Sequence, residues 1–317
     1  MGSTAVGGLA TTRKLDLTDL DGQVIAVDAY IELHQFIHSI TDDYGDYVRN
    51  EEGQPISHLI GFVSRLGNVL NAGIKPVYVF DGGYDPLKEE ELARRSNPNA
   101  TEKFEQAKTN GNKSKAIKYA HQKAYVSDFI VDSSKELLQA MGIPTLHAPG
   151  EAEPQAAQLV SEGTANHVAS QDWDTLLYDV PTMVRDMKSN GAKLVLKEDI
   201  LNTTGWTNEK LRWYAIVRGT DYNKSAYGVG KVRGKRIINN AESFEEVMDE
   251  ADSYGGRTID RDRWRRVLDL FDEQEVIENW QPEFGTFNLD NVHEIACLKY
   301  GLADWQVQSR MKNVKPQ

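Results

Sequence analysis

The chain has 317 residues, of which 40% are hydrophobic and 26% charged, which suits a globular protein that buries a sizeable core. No apolar run approaches a bilayer span and Met1 to Lys14 lacks the apolar segment of a secretory signal, so membrane association is not expected and a reducing cytoplasm is. One cysteine, Cys297, excludes an internal disulfide, and the excess of 48 acidic over 36 basic side chains (net charge −12) argues against a broadly basic, nucleic-acid-coating surface while leaving room for local basic patches.

In chain order, Gln23 to Val27 (QVIAV) reads as the first buried strand. A helical pattern follows, carried by Ile31, Phe36 and Ile40 and later by Leu59, Phe62, Leu66 and Leu70. Pro76 to Phe80 (PVYVF) is the second strand. Residues 86–127 change character: Lys, Glu, Gln and Ala dominate, broken by Asn-Pro-Asn at 97–99 and Asn-Gly-Asn at 110–112. That composition predicts a helical insertion, either a solvated excursion or a cap over a site. His167 to Ala169 and the shorter Thr182 to Arg185 are further strands, and Asn208 to Arg218 is a helix ended by Gly219. A Gly228-Val229-Gly230 turn precedes another helix over Arg233 to Asn240. Two apolar stripes, Trp264/Val267/Leu268/Phe271 and Val292/Ile295/Leu298/Leu302, are expected in the core, as is Cys297. Alternating strands and helices predict an α/β fold with a mostly parallel sheet.

Asp28, Asp81 and Asp172 each follow a predicted strand. Any one alone reads as a turn former or helix cap. In a parallel sheet, however, strand C-termini converge on one edge, where ligands bind. Asp174 stands two residues beyond Asp172, so an extended backbone points both the same way. Glu151 and Glu153 open an apolar helical run, where ordinary pairing with the helix dipole would account for them singly. Asp221, in Gly-Thr-Asp-Tyr, would be a turn residue by itself. Gathered together, such carboxylates raise one another's pKa unless a cation intervenes. Hard oxygen donors favour Mg²⁺ or Mn²⁺ over zinc, and the scattered histidines offer no zinc-type spacing. Two ions about 4 Å apart would suit in-line phosphodiester displacement.

The segments VIAVDA (24–29), KPVYVFDG (75–82), APGEAEPQAA (148–157), ASQDWDTLLY (169–178) and GTDYNKSAYGVGKVRGKR (219–236) resemble, in order and spacing, the flap endonuclease branch of the structure-specific 5′ nucleases. The similarity covers nearly the whole chain. It implies a PIN-like 5′-nuclease fold with a mostly parallel central sheet flanked by helices, a helical cap or arch and a helix–two-turn–helix. It further implies one nuclease domain over 1–317: an N-terminal region at 1–85, the cap at 86–127, an internal region at 128–218, the helix–two-turn–helix at 208–240 and a C-terminal helical region at 241–317.

By that resemblance Asp28, Asp81, Glu151, Glu153, Asp172, Asp174 and Asp221 hold two Mg²⁺ ions, with Mn²⁺ able to substitute. Lys88 and Arg95, seven residues apart on PLKEEELARR, match the two basic catalytic positions. Gly2 and His34 match DNA contacts; His34 stands where relatives place a base-stacking Tyr. Gly228, Gly230, Lys231, Arg233, Lys235 and Arg236 would grip duplex phosphates, with a monovalent cation expected at that motif. A second basic cluster, Lys113, Lys115, Lys118 and Lys123, lies in the cap.

The implied activity is endonucleolytic removal of 5′ flaps from branched DNA in replication and repair, by a monomer in the cytoplasm of an archaeal or virus-infected cell. The tail SRMKNVKPQ lacks a Gln plus paired aromatics, so sliding-clamp recruitment is not expected. Alternatives are a 5′-3′ exonuclease or junction resolvase on the same acids, and a catalytically silent DNA-binding homologue. A haloacid-type phosphatase would need Asp-x-Asp after the first strand, and Asp28-Ala29-Tyr30 lacks it.

Overall fold

The computed structural model describes residues 4–95 and 97–314. Its centre is a seven-stranded sheet: β1 (Thr12–Leu15), β2 (Val24–Asp28), β3 (Lys75–Phe80), β4 (Thr145–His147), β5 (His167–Ala169), β6 (Thr182–Lys188) and β7 (Gly191–Leu196). The spatial order is β1-β7-β6-β5-β2-β3-β4. The β2/β3, β2/β5, β3/β4 and β5/β6 pairs are parallel, whereas β7 runs antiparallel to both β6 and β1. The expected mostly parallel sheet is therefore present, extended by an antiparallel edge.

Helices cover both faces, and the two-residue period of a strand divides the core accordingly. Ala26, Val77 and Val79 face one hydrophobic cluster, while Ile25, Val27, Tyr78 and Phe80 face the other. On the second face the helices Ala29–Ser39 and Ser57–Asn71 lock through Phe62, whose ring sits edge-on to Phe36 at 5.2 Å and to Tyr78 at 5.3 Å. Beneath them the buried Glu32 is matched by Arg65 at 2.7 Å and accepts from the Tyr78 hydroxyl at 2.9 Å. An acid buried with such partners is a structural charge.

The insertion is a cap of three helices, Pro86–Arg95, Ala100–Thr109 and Lys113–Lys123. The last two form a hairpin around a small core of Phe104, Ala107, Ala116 and Ala120. Of the basic cluster Lys113, Lys115, Lys118 and Lys123, two lysines pair with acids outside the cap. Lys123 donates to Asp46 at 2.9 Å with its ammonium over the Phe104 ring, and Lys113 reaches Asp43 at 3.4 Å.

Beyond β7 the chain is helical, through Asn208–Arg218, Lys231–Asn240, Phe244–Ser253 and Arg261–Leu270 to the final Asp304–Met311, which packs against Ser57–Asn71. Of the first expected stripe Trp264, Val267 and Phe271 are buried, with Leu268 packed partly against them. The second stripe needs correction. Glu294–Lys299 is a π-helical turn, with Tyr300 N donating to Ile295 O five residues back. The wider turn changes the phase, so Ala296 faces inward and Leu298 is 74% exposed. Cys297, expected in the core, is only half-buried for the same reason. No described helix is long and apolar enough to cross a membrane.

Candidate active site

Three parallel strands deliver their C-termini to one sheet edge, and the acids gather there. Asp28 closes β2, Asp81 follows β3, and Asp172 follows β5 by three residues. Two of these acids also perform local duties. Asp28 caps the helix Ala29–Ser39, accepting from Ile31 N at 3.0 Å, and Asp172 caps a 3₁₀ turn, accepting from Asp174 N at 2.9 Å. Each capping bond uses one carboxylate oxygen. Glu151 precedes the helix Ala152–Ser161 without capping it; its oxygens go instead to the Lys88 ammonium and, at 2.8 Å, to the Tyr222 hydroxyl.

Close backbone approach brings the β4 connection to β3. Gly82 N donates to Gly150 O at 2.7 Å, and a Cβ on Gly82 would lie 2.0 Å from Ala148 O. Only glycine fits there. The contact sets Asp81 against the start of the next helix, where Asp81 Oδ1 accepts from Ala152 N at 2.7 Å.

Electrostatics record how tightly the group is assembled. The Asp28 carboxyl is held well above the usual range by burial, then by Glu153 and Asp81. Burial and Glu153 push Asp81 up to about 6, and burial pushes Glu153 up to about 7 against the opposing pull of Lys88, with Glu151 and Asp172 adding to the rise. Glu151 is raised by burial despite Lys88 beside it. Burial disfavours the Lys88 ammonium too, yet Glu153 and Glu151 hold its pKa well above that of a free lysine. Asp81 and Glu153 are half-buried, with protein packed densely around them.

Thus Asp28, Asp81, Glu151, Glu153 and Asp172 form one interacting set, with Lys88 beside Glu151, Glu153 and Asp81. Asp174 is buried on the 3₁₀ turn Trp173–Tyr178. Asp221 occupies the loop after the helix Asn208–Arg218; Gly219, at φ +91°, makes the turn, and Asn223 Nδ2 donates to Ile216 O at 2.8 Å to hold it. That loop adjoins the set through Tyr222.

The donors fit hard divalent cations: oxygen only, buried, mutually repelling, and drawn here around an ammonium that partly offsets their charge. Their spacing is looser than a shared inner shell. Among the described residues, the one group of three potential ligands with atoms all within 4.8 Å of one another is His293, Cys297 and Asp304, elsewhere in the fold. Mg²⁺ characteristically retains several waters, which suits carboxylates set back from the ion.

Three contributors carry no sequence signal. Tyr222 joins Glu151 to the Tyr178 hydroxyl, 2.8 Å away, in a buried relay. Tyr84 hydrogen-bonds Asp81 and lies with its ring 5.0 Å from the Lys88 ammonium. Arg263 clamps the Lys88 helix to the Asp221 loop: it donates to Tyr222 O at 2.6 Å, to Glu90 at 2.8 Å and to Leu87 O at 3.0 Å.

The side chain of Arg95 and the whole of Gly2 lie outside the described residues. His34 is exposed on Ala29–Ser39 and stacks on His38 at 6.0 Å, which stacks in turn on His121 of the cap at 4.9 Å. Gly228 takes φ +70°, and Gly230 precedes the helix Lys231–Asn240. Several of its cations are engaged: Lys231 with Gly8 O at 2.9 Å, Arg233 with Gly228 O at 2.8 Å, and Arg236 with the Tyr254 hydroxyl. Lys235 stands beside them, partly exposed.

The XPG N-terminal domain family matches residues 5–102, and the XPG I-region family matches residues 142–221. Among curated proteins, the chain is 33% identical to Flap endonuclease 1 of Methanosarcina barkeri over 98% of its own length and 95% of that protein's. It is 34% identical to Flap endonuclease 1 of Pyrococcus furiosus, covering 98% and 94%. Among solved structures, flap endonuclease-1 from Methanococcus jannaschii superposes with a TM-score of 0.74 at 25% identity, over 97% and 96% of the two chains. The catalytic core of Rad2 in complex with DNA substrate shares the fold, with a TM-score of 0.71 at 23% identity over 98% and 96%. Matched from end to end in sequence and in backbone, and with its acids gathered at one edge of the sheet, this chain belongs to the flap endonuclease family.

Proposed function

We propose that this chain is a 5′ flap endonuclease that hydrolyses a phosphodiester bond near the single-strand/duplex junction of branched DNA, acting as a monomer. The observation that carries the reading is the buried carboxylate set at the sheet's C-terminal edge with a cap lysine beside it. Asp28, Asp81, Glu151, Glu153, Asp172, Asp174 and Asp221 would hold two Mg²⁺ ions, or Mn²⁺ in their place. Bound there, divalent ions supply a reactive water at neutral pH and neutralise charge on the phosphate.

The chain's own side chains then have distinct tasks. Glu153 and Asp81, whose carboxyls burial and their acidic neighbours hold above the usual range, would be drawn into the ionised form by cations beside them and so couple metal binding to proton release. The Lys88 ammonium, which pairs with Glu151, would offset charge on the scissile phosphate if cations took over its role among the carboxylates. Arg95, two turns along the same helix, would add a second such cation. Backbone N–H groups from Gly228 to Gly230 and the cations Lys231, Arg233, Lys235 and Arg236 would bind duplex phosphates without reading sequence, with a monovalent cation among them. His34 would lie against a base near the cut, and Gly2 would contact the same strand.

End-labelled double-flap, nicked-duplex and four-way-junction DNA, each incubated with Mg²⁺ and with EDTA, test the proposal. Mg²⁺-dependent cleavage at the flap base is expected. Mononucleotide release from the nick without flap cutting would assign an exonuclease instead, and resolution of the junction alone would assign a resolvase.

A further inference from the structure

We propose a second, softer metal site formed by His293, Cys297 and Asp304, selective for Zn²⁺ or a similar transition ion and clasping the C-terminal helix. The three residues lie on successive elements: the end of the helix Leu289–His293, the π-helical turn Glu294–Lys299 and the start of the helix Asp304–Met311. Their ligand atoms all lie within 4.8 Å of one another. His293 Nε2 and Asp304 Oδ1 are 3.2 Å apart.

Tetrahedral zinc with ordinary bond lengths places N and O ligands about 3.4 Å apart and S and N about 3.6 Å apart. The imidazole–carboxylate pair is already at that separation. The sulfur needs at most about 1 Å of adjustment to join it. Imidazole, thiolate and one carboxylate form a mixed N, S, O donor set, which prefers Zn²⁺ over Mg²⁺. The carboxylate pocket has the opposite preference, so the two sites would not compete for one ion.

The π turn makes the arrangement. It rotates Leu298 out to 74% exposure, Ala296 into the core, and leaves Cys297 half-buried at the surface beside His293. Single π turns recur at functional sites because they aim side chains that a regular helix would direct elsewhere. Side-chain exposures of 33% for His293 and 63% for Asp304 give an ion an entry path and leave the fourth position to water. The simpler alternative is a His293–Asp304 ion pair with Cys297 as a bystander. On that view the thiol takes no part in metal binding.

Because Asp304–Met311 packs on Ser57–Asn71, an ion here would tie the end of the chain to the nuclease body. Stability would then depend on Zn²⁺ by mass action.

The test uses the whole chain, stripped with EDTA, dialysed, and supplied with excess Mg²⁺ to occupy the carboxylate pocket before titration with Co²⁺. Cys297 is the only cysteine, so a thiolate-to-cobalt charge-transfer band reports this site alone. The expected result is a band that saturates at one equivalent and is displaced by Zn²⁺. It should vanish in Cys297→Ser and His293→Ala and persist in Asp174→Ala. Zn²⁺ should also slow the reaction of Cys297 with a thiol reagent by on the order of ten-fold. Absence of both the band and the protection, in protein with native circular dichroism, overturns the proposal. Undiminished protection in His293→Ala would overturn the ligand set.

Discussion

Glu153→Gln removes one negative charge from the carboxylate pocket and keeps the shape of the side chain. In the folded protein the Glu153 pKa is about 7, against about 4.5 for a free glutamate side chain. A carboxyl whose folded pKa is raised binds its proton more tightly folded than unfolded. Its ionisation therefore drains stability as pH rises from the unfolded pKa to the folded one, and the loss is complete above about pH 7. At about 1.4 kcal/mol per pKa unit, the ionised Glu153 costs the metal-free fold about 3 kcal/mol at pH 8 and under about 1 kcal/mol at pH 5. In EDTA, Glu153→Gln should then be more stable than the parent by about 2–3 kcal/mol at pH 8, with most of that margin gone at pH 5. Saturating Mg²⁺ should shrink the margin at pH 8 by stabilising the parent more than the variant, while the variant loses cleavage. Urea unfolding followed by tryptophan fluorescence at the two pH values, with and without Mg²⁺, reads all of this. A variant no more stable than the parent at pH 8 in EDTA, or a margin independent of pH, would refute the account of the pocket as a store of unbalanced charge.

Tyr222→Phe deletes the hydroxyl that holds Glu151 and should raise the Mg²⁺ concentration for half-maximal cleavage about ten-fold, with stability falling by about 1–2 kcal/mol. Gly82→Ala would drive its methyl into Ala148 O; denaturation midpoints should show a loss of about 2–3 kcal/mol, and cleavage should fall as Asp81 and Glu151 separate. Arg263→Ala releases the Lys88 helix from the Asp221 loop, so single-turnover cleavage should slow ten-fold or more, by about the cost of misplacing a catalytic group, while flap-DNA affinity measured in Ca²⁺ stays within a factor of about two.

The parts of this fold that could be read from sequence are those where local chemistry speaks alone. β2, β3, β5 and β6 are β-branched or apolar runs. β1 is TRKL, exposed over its first three residues, an edge strand whose charges guard against further pairing and disguise it as loop. β4 has three residues, and β7 is recognisable only through its antiparallel partner β6. Asp28, Asp81 and Asp172 stand out in the sequence because each follows a strand, and Glu151 and Glu153 because they open a helix; Asp174 and Asp221 sit on turns. Tyr222 and Arg263 do not stand out, since each acquires meaning only from a partner far along the chain, and Tyr84 does not, since only the local fold turns it back onto Asp81. Leu298 was misassigned because a helical period of 3.6 was carried through a turn that does not keep it.

The order of strands in the sheet has a consequence for synthesis. β2, with Asp28 at its end, lies between β3 and β5, and the 86 residues 81–166, including the whole cap, emerge from the ribosome between those two neighbours. A nascent chain that has released Asp28 and Asp81 still lacks Glu153 and Asp172, and the Tyr222 prop for Glu151 emerges later still. The carboxylate pocket is therefore completed only after most of the chain has been made, because connectivity places its members on strands and helices that emerge far apart.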